Sequence, residues 1–463
     1  MLSTRYGVVV NVRTGVRVRP TPGWVWLLAG GVVFAASVVM YRQIFVIDPS
    51  LWSHSDEWIY RAGGVVARQH PADLYKVLMG APDEEKLPFA YPPFAALVFA
   101  AGSAFSFGIW QIGLVVTDLI LLPVIVYASL RTSGRRGLRG AALALVVAGM
   151  AIWLEPVYMT MFFGQINLIL LALVIVDLAL PDSSRWKGIG IGIAAGLKLT
   201  PLIFIPYLLA SRRVRAGVVG LLSFAATIVI GFAVLPAASR QYWAGKFAVH
   251  GGALRLQDQS INGVLARLMH SDPAAHMLWL AMALVVAVAG LATAATASRR
   301  GLELLGIVLC GVTGLLVSPI SWSHHWVWVV PGLALMAAGA SPGRAGTAGP
   351  AAIHPRGWAA RATGAAAILA VFVMWPRPGR FGRATDWLPA GFLRLAPQGG
   401  TLEYTWHGAM LLIGNSYVIA GAAAITGAAG YLWATRSRAP RMPGPSATGD
   451  HLMPASAGEH PRP

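Results

Sequence analysis

Apolar runs long enough to cross a lipid bilayer recur along this chain from residue 24 to residue 435. Of its 463 residues, 56% are hydrophobic and only 12% are charged, whereas a soluble domain carries about a quarter charged residues. A spanning helix needs about 20 consecutive apolar residues, because its backbone must satisfy its own hydrogen bonds in lipid. The sequence therefore predicts an all-α polytopic integral membrane protein with about 10–13 transmembrane helices.

The polar segments between the apolar runs define the predicted organisation. Residues 1–23 form a cytoplasmic N-terminal segment, 24–435 a transmembrane domain, and 436–463 a disordered tail too poor in aliphatic residues to fold. We place helices at 24–46, 92–108, 110–130, 140–160, 165–180, 188–210, 216–236, 276–296, 302–318, 326–340, 359–375 and 414–434. Long loops are predicted at 47–90, 237–275 and 376–413, with a flexible linker at 341–357.

The net charge of +18 comes from 36 Lys and Arg against 18 Asp and Glu. The arginines lie in short loops beside apolar runs, which is typical of cytoplasmic membrane flanks, so we expect no nucleic-acid partner. Four arginines before residue 24 place the N-terminus in the cytoplasm. By alternation, the acidic loop 47–90 is then predicted to lie outside the cytoplasm. The one cysteine, Cys310, excludes a disulfide within the chain.

Simple alternation of the early helices conflicts with this charge rule. It places Arg131, Arg135, Arg136 and Arg139 outside, where basic residues are disfavoured. Either the short segment 92–108 does not cross the bilayer, or the segment 188–210 is interrupted near Lys198 and counts as two. The sequence leaves both solutions open.

Asp56 lies just beyond the first predicted helix, in the stretch HSDEWIYRAGG. A carboxylate at a membrane surface can act as a general base when it is partly desolvated and within reach of a substrate hydroxyl. The alternative is a solvated loop acid, which is the stronger interpretation for Glu57 and Asp73. Tyr91 stands at a proline-marked helix start and is either an interfacial aromatic or part of a shared motif.

Lys198 falls inside the apolar stretch GIAAGLKLTPLIFIPYLL. An intramembrane lysine is costly and usually has a functional partner. Pro201 interrupts the helix, and irregular backbone at membrane depth implies a polar cavity, where a cation suits a phosphate. A lysine that snorkels to the interface is the alternative. Gln165 and Asn167, in FFGQIN, either satisfy backbone groups at a helix end or line the same cavity.

His324 and His325 stand in SPISWSHHWVW at a helix start, on the same predicted outer side as Asp56. A metal site would need further His or acidic ligands at compatible spacing, and none lies nearby, so we predict no metal and no cofactor. The pair is either interfacial or a set of hydrogen-bonding groups for phosphate or hydroxyl in a lipid-facing cleft. Asn262 and Arg267, in the outer loop, are weaker candidates.

Six motifs in order resemble the polytopic mannosyltransferases of glycosyltransferase family 87. They are D-x-x-x-Y from Asp56 to Tyr60, FAYPPFAAL, FFGQIN, GLKLTP, INGVLARL and SPISWSHHWVW, and the resemblance runs over residues 47–340. It implies a GT-C fold, in which a long first outer loop bears the catalytic carboxylate. Asp56 matches the family's loop aspartate, which gives it the role of general base, and Trp58 stands where some relatives have a second acid.

The resemblance also implies a reaction. The family's actinobacterial members transfer mannose from polyprenyl-phosphate-mannose, outside the cytoplasmic membrane, with inversion at the sugar. The expected acceptor is a glycolipid or lipoglycan, namely a phosphatidylinositol mannoside, lipomannan or lipoarabinomannan, with an α-1,2 linkage favoured over α-1,6. Lys198, His324 and His325 are then expected to stabilise the departing phosphate. The expected sugar or phosphate contacts are Tyr60, Tyr91, Gln165, Asn167, Asn262 and Arg267.

Two other classes of function remain open at this stage. A transporter or lipid flippase would use Lys198 and the amides to line a translocation path, but it predicts inverted repeats and more intramembrane charge than the sequence shows. A non-catalytic assembly protein would carry a decayed site, against which the intact Asp56 and histidine pair argue.

Overall fold

The computed structural model describes residues 9–10, 17–18, 21–47, 55–80, 86–245, 255–270, 272–339, 355–373, 391–397, 399 and 401–436. The predicted tail lies outside these residues except for its first position, and so does most of the N-terminal segment. Most of the described chain is helical. Its strands form two short antiparallel hairpins, which pair Val9–Val10 (β1) with Arg17–Val18 (β2) and Leu78–Met79 (β3) with Leu87–Pro88 (β4). The all-α fold class is confirmed.

The helices follow one another with few long gaps. In chain order they are α1 Gly23–Ile47, α2 Ser55–Gln69, α3 Pro93–Gly102, α4 Phe107–Thr132, α5 Gly137–Ala151, α6 Glu155–Phe163, α7 Asn167–Leu178, α8 Ile189–Leu197, α9 Phe204–Ala210, α10 Val214–Val234, α11 Pro236–Trp243, α12 Ile261–Leu268, α13 Pro273–Arg299, α14 Glu303–Val317, α15 Val329–Ala338, α16 Pro355–Phe372, α17 Ala409–Gly414 and α18 Ser416–Ala434. Short 3-10 segments lie at Pro71–Asp73, Thr200–Ile203, Ser323–Trp328, Phe392–Leu395 and Leu402–Thr405.

Five of the described helices are long and apolar enough to cross a membrane: α1, α4, α10, α13 and α18. Large apolar side chains on them face outward, such as Val229 on α10 at 66% exposure and Leu284 on α13 at 67%. A soluble protein does not expose apolar surface on this scale. Shorter apolar helices, which the predicted 10–13 crossings also counted, include α3, α5, α7 and α14. The chain is a multi-pass membrane protein.

The predicted polar loops contain helices that the sequence analysis missed. α2 lies within 47–90 and α12 within 237–275, and α11 begins at Pro236, one residue before that second loop. α2 begins with two acidic residues, which favour a helix N-terminus, and it buries one face that includes Ile59 and Tyr60. Its average polarity hid this face, because only one side of the helix packs against the bundle.

α1 and α5 run parallel, which settles the early topology. A Cβ at Gly23, near the start of α1, would lie 3.1 Å from Leu138 at the start of α5, and one at Gly149 would meet Phe34 and Ser37 further along α1. The intervening α4 therefore runs the opposite way. The ten residues of α3 would extend only about 15 Å, which is too short to cross the bilayer.

The predicted helix 188–210 is broken at Lys198 and folds back on itself. α8 runs parallel to α10, because a Cβ at Gly192 would meet Ser223 and one at Gly196 would meet Thr227. α9 runs antiparallel to α10, since Leu209 lies beside Gly217 and Ile205 beside Gly220. The segment therefore enters and leaves at the same end of the bundle, with Lys198 at its turn. The sequence left two solutions open, a segment 92–108 that does not cross the bilayer and an interruption of 188–210 near Lys198. Both are present.

The arginine clusters meet at one end of the bundle. Arg213 pairs with Glu303 at 2.7 Å, and the guanidinium of Arg299 donates to the carbonyl of Ala210 at 3.1 Å. Arg135 donates to the carbonyl of Ala338 at 2.9 Å, and α15 returns to the level at which α14 begins. This shared end is the one predicted to face the cytoplasm. α14 begins at this end with Glu303 and runs away from it, so it carries Ser318–Trp328 to the opposite end.

Candidate functional site

Three breaks in helical structure converge at the end of the bundle opposite the arginines. α6 ends at Gly164 in the left-handed conformation, φ 65°, and α7 begins at Asn167. Lys198 is extended, with φ −153° and ψ 130°. The connection from α14 to α15 contains the 3-10 segment Ser323–Trp328. Irregular backbone inside a membrane protein is tolerated where it lines a polar cavity, and these breaks bring polar side chains together.

Lys198 bridges two of the other predicted site residues. Its Nζ donates to Oδ1 of Asn167 at 3.2 Å and lies 2.9 Å from Nε2 of His325. An ammonium donor at Nε2 leaves the proton of a neutral imidazole on Nδ1. These contacts use two of the three N–H donors of the lysine, so one is left to bind an anion.

The backbone carbonyl of His324 is fixed by two hydrogen bonds, and the ring of His324 faces Lys198 and His325. Its carbonyl accepts hydrogen bonds from Thr160 at 3.1 Å and from Nδ2 of Asn167 at 3.0 Å. Both ring nitrogens of His324, and Nδ1 of His325, are buried without a hydrogen-bond partner among the described residues. A buried polar atom left unpaired costs about 1–3 kcal/mol. The three nitrogens therefore indicate a site that is completed by a polar ligand.

The two imidazoles are expected to be uncharged in this environment. Burial, and after it the positive charge of Lys198, lowers the pKa of His324 and of His325 well below the usual value of 6.5. A neutral imidazole offers one N–H donor and one acceptor nitrogen. It suits a sugar hydroxyl or a phosphate oxygen without adding a third cation to the cluster.

Tyr60, Tyr91 and Gln165 form a hydrogen-bonded chain beside this cluster. The hydroxyl of Tyr60 donates to Oε1 of Gln165 at 2.7 Å and lies 2.9 Å from the hydroxyl of Tyr91, which therefore donates to it. Tyr91 also places its ring 5.8 Å from the ammonium of Lys198. The chain links α2, the start of α3 and the break after α6.

Asp56 lies in the first turn of α2, half-buried, one helical turn before Tyr60. Its negative charge acts on Lys198 and on both tyrosines. Burial, and then the charge of Asp56, raises the pKa of Tyr91 above its ordinary value, so that its hydroxyl stays a neutral donor. Asp56 and the pair of His324 and His325 thus belong to one polar cluster, although they lie far apart in the sequence. Their catalytic roles stay predictions.

Glu57 and Gly164 form a close contact that the sequence analysis missed. Glu57 is completely buried, and a Cβ at Gly164 would come within 2.0 Å of its Cγ. The glycine therefore serves both the left-handed turn and the approach of α2 to α6. An isolated glycine between two apolar helices was the only sequence signal for this contact.

Gly164→Ala is expected to destabilise the protein more than Gly134→Ala. Both glycines have positive φ, but a Cβ at Gly134 would meet nothing within 4 Å. The left-handed conformation costs alanine about 1–2 kcal/mol at either position, and overpacking against Glu57 adds about 1–3 kcal/mol at Gly164 only. Thermal unfolding of the two variants in the same detergent measures the difference. Equal unfolding temperatures would contradict the packing at Gly164.

Arg267 and Asn262 make their described contacts elsewhere than in this cluster. Arg267 is only 2% exposed, and its guanidinium donates to Oδ1 of Asn415 at 2.6 Å and to the carbonyl of Asp258 at 2.9 Å. Asn262 donates to the carbonyl of Pro319 at 2.9 Å. Of the predicted site residues, these two are not brought to Lys198 and the histidines. Both instead anchor α12, to which they belong, to neighbouring segments of the chain.

Arg267→Met is expected to lower stability without changing the affinity for the polyprenyl-phosphate donor that the family resemblance implies. The substitution leaves the buried carbonyl of Asp258 and Oδ1 of Asn415 without a donor, and each buried polar group left unpaired costs about 1–3 kcal/mol. A fall in unfolding temperature with an unchanged donor KM at low temperature would agree with an anchoring role. A large rise in donor KM in folded protein would restore Arg267 as a substrate contact.

An apolar pocket opens next to the polar cluster. Its polar wall holds Asn167, Lys198 and His325. Its apolar wall is formed by Leu170, Leu171, Val174, Ile203, Phe204, Leu315, Val327 and Trp328. No group of three or more His, Cys, Asp or Glu side chains converges as a metal site within the part of the chain that the structure describes. The site therefore offers a cation and imidazoles next to an apolar wall.

The fold and the cluster define a polytopic membrane protein with a polar site where its helices are interrupted, and comparison with known proteins gives its family. The sequence profile of glycosyltransferase family 87 matches residues 89–319. A relative in Mycolicibacterium smegmatis is 34% identical over 345 residues, which cover 68% of this chain and 72% of that protein. The chain belongs to glycosyltransferase family 87, as its motifs predicted.

The names of the curated relatives describe one kind of reaction. The relative in Mycolicibacterium smegmatis is a polyprenol-phosphate-mannose-dependent α-(1-2)-phosphatidylinositol mannoside mannosyltransferase. A protein with the same name in Mycobacterium tuberculosis is 37% identical over 272 residues, 55% of this chain and 63% of the relative. A pentamannoside mannosyltransferase of that species is 34% identical over 278 residues, 58% of this chain and 63% of the relative. The match thus spans about 63% of the length of both Mycobacterium tuberculosis relatives, and no solved structure matches the chain.

Proposed function

We propose that this chain is a membrane mannosyltransferase that transfers mannose from polyprenyl-phosphate-mannose to a phosphatidylinositol mannoside or a related lipoglycan. The observation that carries the proposal is the unfilled hydrogen-bonding capacity of Lys198, His324 and His325. These groups lie beside Asp56 and an apolar wall, as a lipid-linked phosphate requires. Membership of glycosyltransferase family 87 supports the same reaction.

The positions of the charged groups support the following reaction. Asp56 accepts the proton of an acceptor hydroxyl while that oxygen forms a bond to C1 of mannose. The bond from C1 to the phosphate oxygen breaks, and its electron pair leaves with the lipid phosphate. The phosphate gains one negative charge in this step, which the ammonium of Lys198 and the imidazole donors stabilise. Attack from the face opposite the phosphate inverts a β-phosphomannose to an α-mannoside.

The acceptor and the membrane side are also part of the proposal. We infer an α-1,2 linkage because the relatives named above form α-(1-2) linkages. We place the site on the extracytoplasmic side, because it lies at the end of the bundle opposite the arginine clusters and basic residues favour the cytoplasm. The donor carries its own lipid, so it reaches this end of the bundle without leaving the bilayer.

A transfer assay with the full chain in liposomes tests the proposal. Radiolabelled polyprenyl-phosphate-mannose and a phosphatidylinositol mannoside should give a labelled glycolipid one mannose larger, and linkage analysis should give α-1,2. Liposomes with polyprenyl-phosphate-glucose serve as the matched control and should give no product. Movement of the intact donor between leaflets without a mannosylated product would instead favour the transporter alternative.

A further inference from the structure

Residues 391–397 form a segment that packs into the bundle, although it lies far along the sequence from the family motifs. This segment follows the region that the family profile matches, residues 89–319. Leu393 is completely buried and Ala396 is 3% exposed. Gly391 has φ 62°, and a Cβ there would come within 2.4 Å of the hydroxyl of Tyr417 and 3.2 Å of Cβ of Glu155. The segment therefore reaches the first turn of α6 and the start of α18.

Arg394 is held in this segment by a buried carboxylate. Its side chain is 9% exposed, and its Nε donates to Oε1 of Glu155 at 3.3 Å, where Glu155 itself is completely buried. Glu155 also accepts hydrogen bonds from Ser323 at 2.8 Å and from Tyr417 at 3.0 Å. Because Ser323 precedes His324 directly, Glu155 fixes Arg394 next to the histidine pair.

The far end of the Arg394 guanidinium has no described partner. Nη2 is buried and makes no hydrogen bond to any residue that the structure describes. The positive charge of Arg394 acts on His324, whose two ring nitrogens are buried and unpaired within the same described residues. Buried guanidinium donors are normally paired. The unpaired donor and the unpaired imidazole therefore indicate one ligand that contacts both.

We infer that Arg394 is a second cationic contact for the lipid phosphate, which Nη2 binds together with Lys198 and the histidines. The inference rests on the proposed function. During transfer the phosphate changes from a monoanionic diester to a monoester with a second negative charge. Two cations fixed in a site of low dielectric stabilise this charge better than one, and arginine is well suited to phosphate oxygens.

An alternative role for Arg394 is purely structural, because it neutralises Glu155. The variant Arg394→Gln by itself does not separate the two roles, since it leaves a buried carboxylate without its cation, which is strongly destabilising. The double variant Arg394→Gln with Glu155→Gln removes both charges at once. The amide at position 155 can still accept a hydrogen bond from one of the hydroxyls of Ser323 and Tyr417 and donate one to the other. The double variant should therefore fold, while it lacks the second cation.

The closing experiment measures binding of polyprenyl phosphate to the full chain in detergent, with uncharged polyprenol of the same length as the reference ligand. We expect the double variant to bind polyprenyl phosphate about 10-fold or more weakly, because a hydrogen bond to a charged group contributes about this much. Its affinity for polyprenol and its unfolding temperature should stay close to those of the wild type. Arg240→Gln, which changes an exposed arginine at the end of α11, should change neither affinity.

The outcomes separate the two proposals. Wild-type affinity for polyprenyl phosphate in the double variant would overturn the inference and leave the proposed function standing, provided that the wild type transfers mannose. A wild type that binds polyprenyl phosphate no better than polyprenol would overturn both. The third outcome combines weak polyprenyl phosphate binding by the double variant with a wild type that does not transfer mannose. It would support Arg394 as a phosphate ligand and rule out the proposed reaction.

Discussion

Asp56→Asn is expected to reduce mannose transfer by about 10²–10⁴-fold, the usual contribution of a general base. Asparagine has the size of aspartate but cannot accept the proton of the acceptor hydroxyl at neutral pH. The loss should appear in the rate constant at saturating donor and acceptor, because the proton is transferred in the bond-forming step. A single-turnover transfer assay with the purified variant measures that rate constant directly.

Asp73→Asn is the matched control for this variant. Asp73 lies in the same predicted outer loop, and its exposed carboxylate pairs with Lys76 at 2.9 Å. Such surface pairs contribute at most about 1 kcal/mol to stability, so transfer by Asp73→Asn should equal that of the wild type. A folded Asp56→Asn protein with more than a tenth of the wild-type rate would remove Asp56 as the base.

Lys198→Met is expected to raise the donor KM by about 10–100-fold, which corresponds to the loss of a hydrogen bond to a charged group. The lysine lies at the turn between α8 and α9, where its ammonium is positioned by Asn167 and His325. The unfolding temperature should stay the same or rise, since a lysine at membrane depth costs about 3 kcal/mol. Donor titrations and thermal unfolding in detergent measure the two effects.

Lys187→Met is the contrasting variant, because Lys187 is a buried lysine at the opposite end of the bundle. Its Nζ donates to the carbonyls of Leu178 and Leu180, at 3.0 and 2.7 Å, and to Asp182 at 2.8 Å. Removing these donors should lower the unfolding temperature and leave the donor KM unchanged. If Lys198→Met instead lost stability and kept its donor KM, Lys198 would be a structural lysine like Lys187.

These two predictions test different parts of the proposed transfer. The Asp56 variant should bind the donor normally and fail in bond formation, whereas the Lys198 variant should bind the donor weakly and also stabilise the leaving phosphate less. A protein that only transported the lipid would show the Lys198 effect in binding but would have no transfer rate for Asp56→Asn to reduce. The measurements on the two variants together therefore separate catalysis from translocation.

The sequence by itself determined the class of this protein, its family and most of its helices. Hydrophobic length is a local property, so the helical runs could be placed without any contact information. The motifs around Asp56, Lys198 and His324 also stand in short stretches, and their resemblance to glycosyltransferase family 87 proved correct. The arginine clusters indicated a common end of the bundle, which the contacts of Arg135, Arg213 and Arg299 show.

Tertiary structure alone decided where the chain turns back and which distant residues meet. α2 was hidden within a polar loop because its apolar face is apparent only against α3, and the return at Lys198 depends on the packing of α8 and α9 against α10. The sequence could not separate Arg267, whose donors are consumed by Asn415 and nearby carbonyls, from Arg394, which retains a buried unpaired donor among the described residues. Both are arginines outside the long apolar helices, and only their partners in space distinguish an anchor from a candidate phosphate contact.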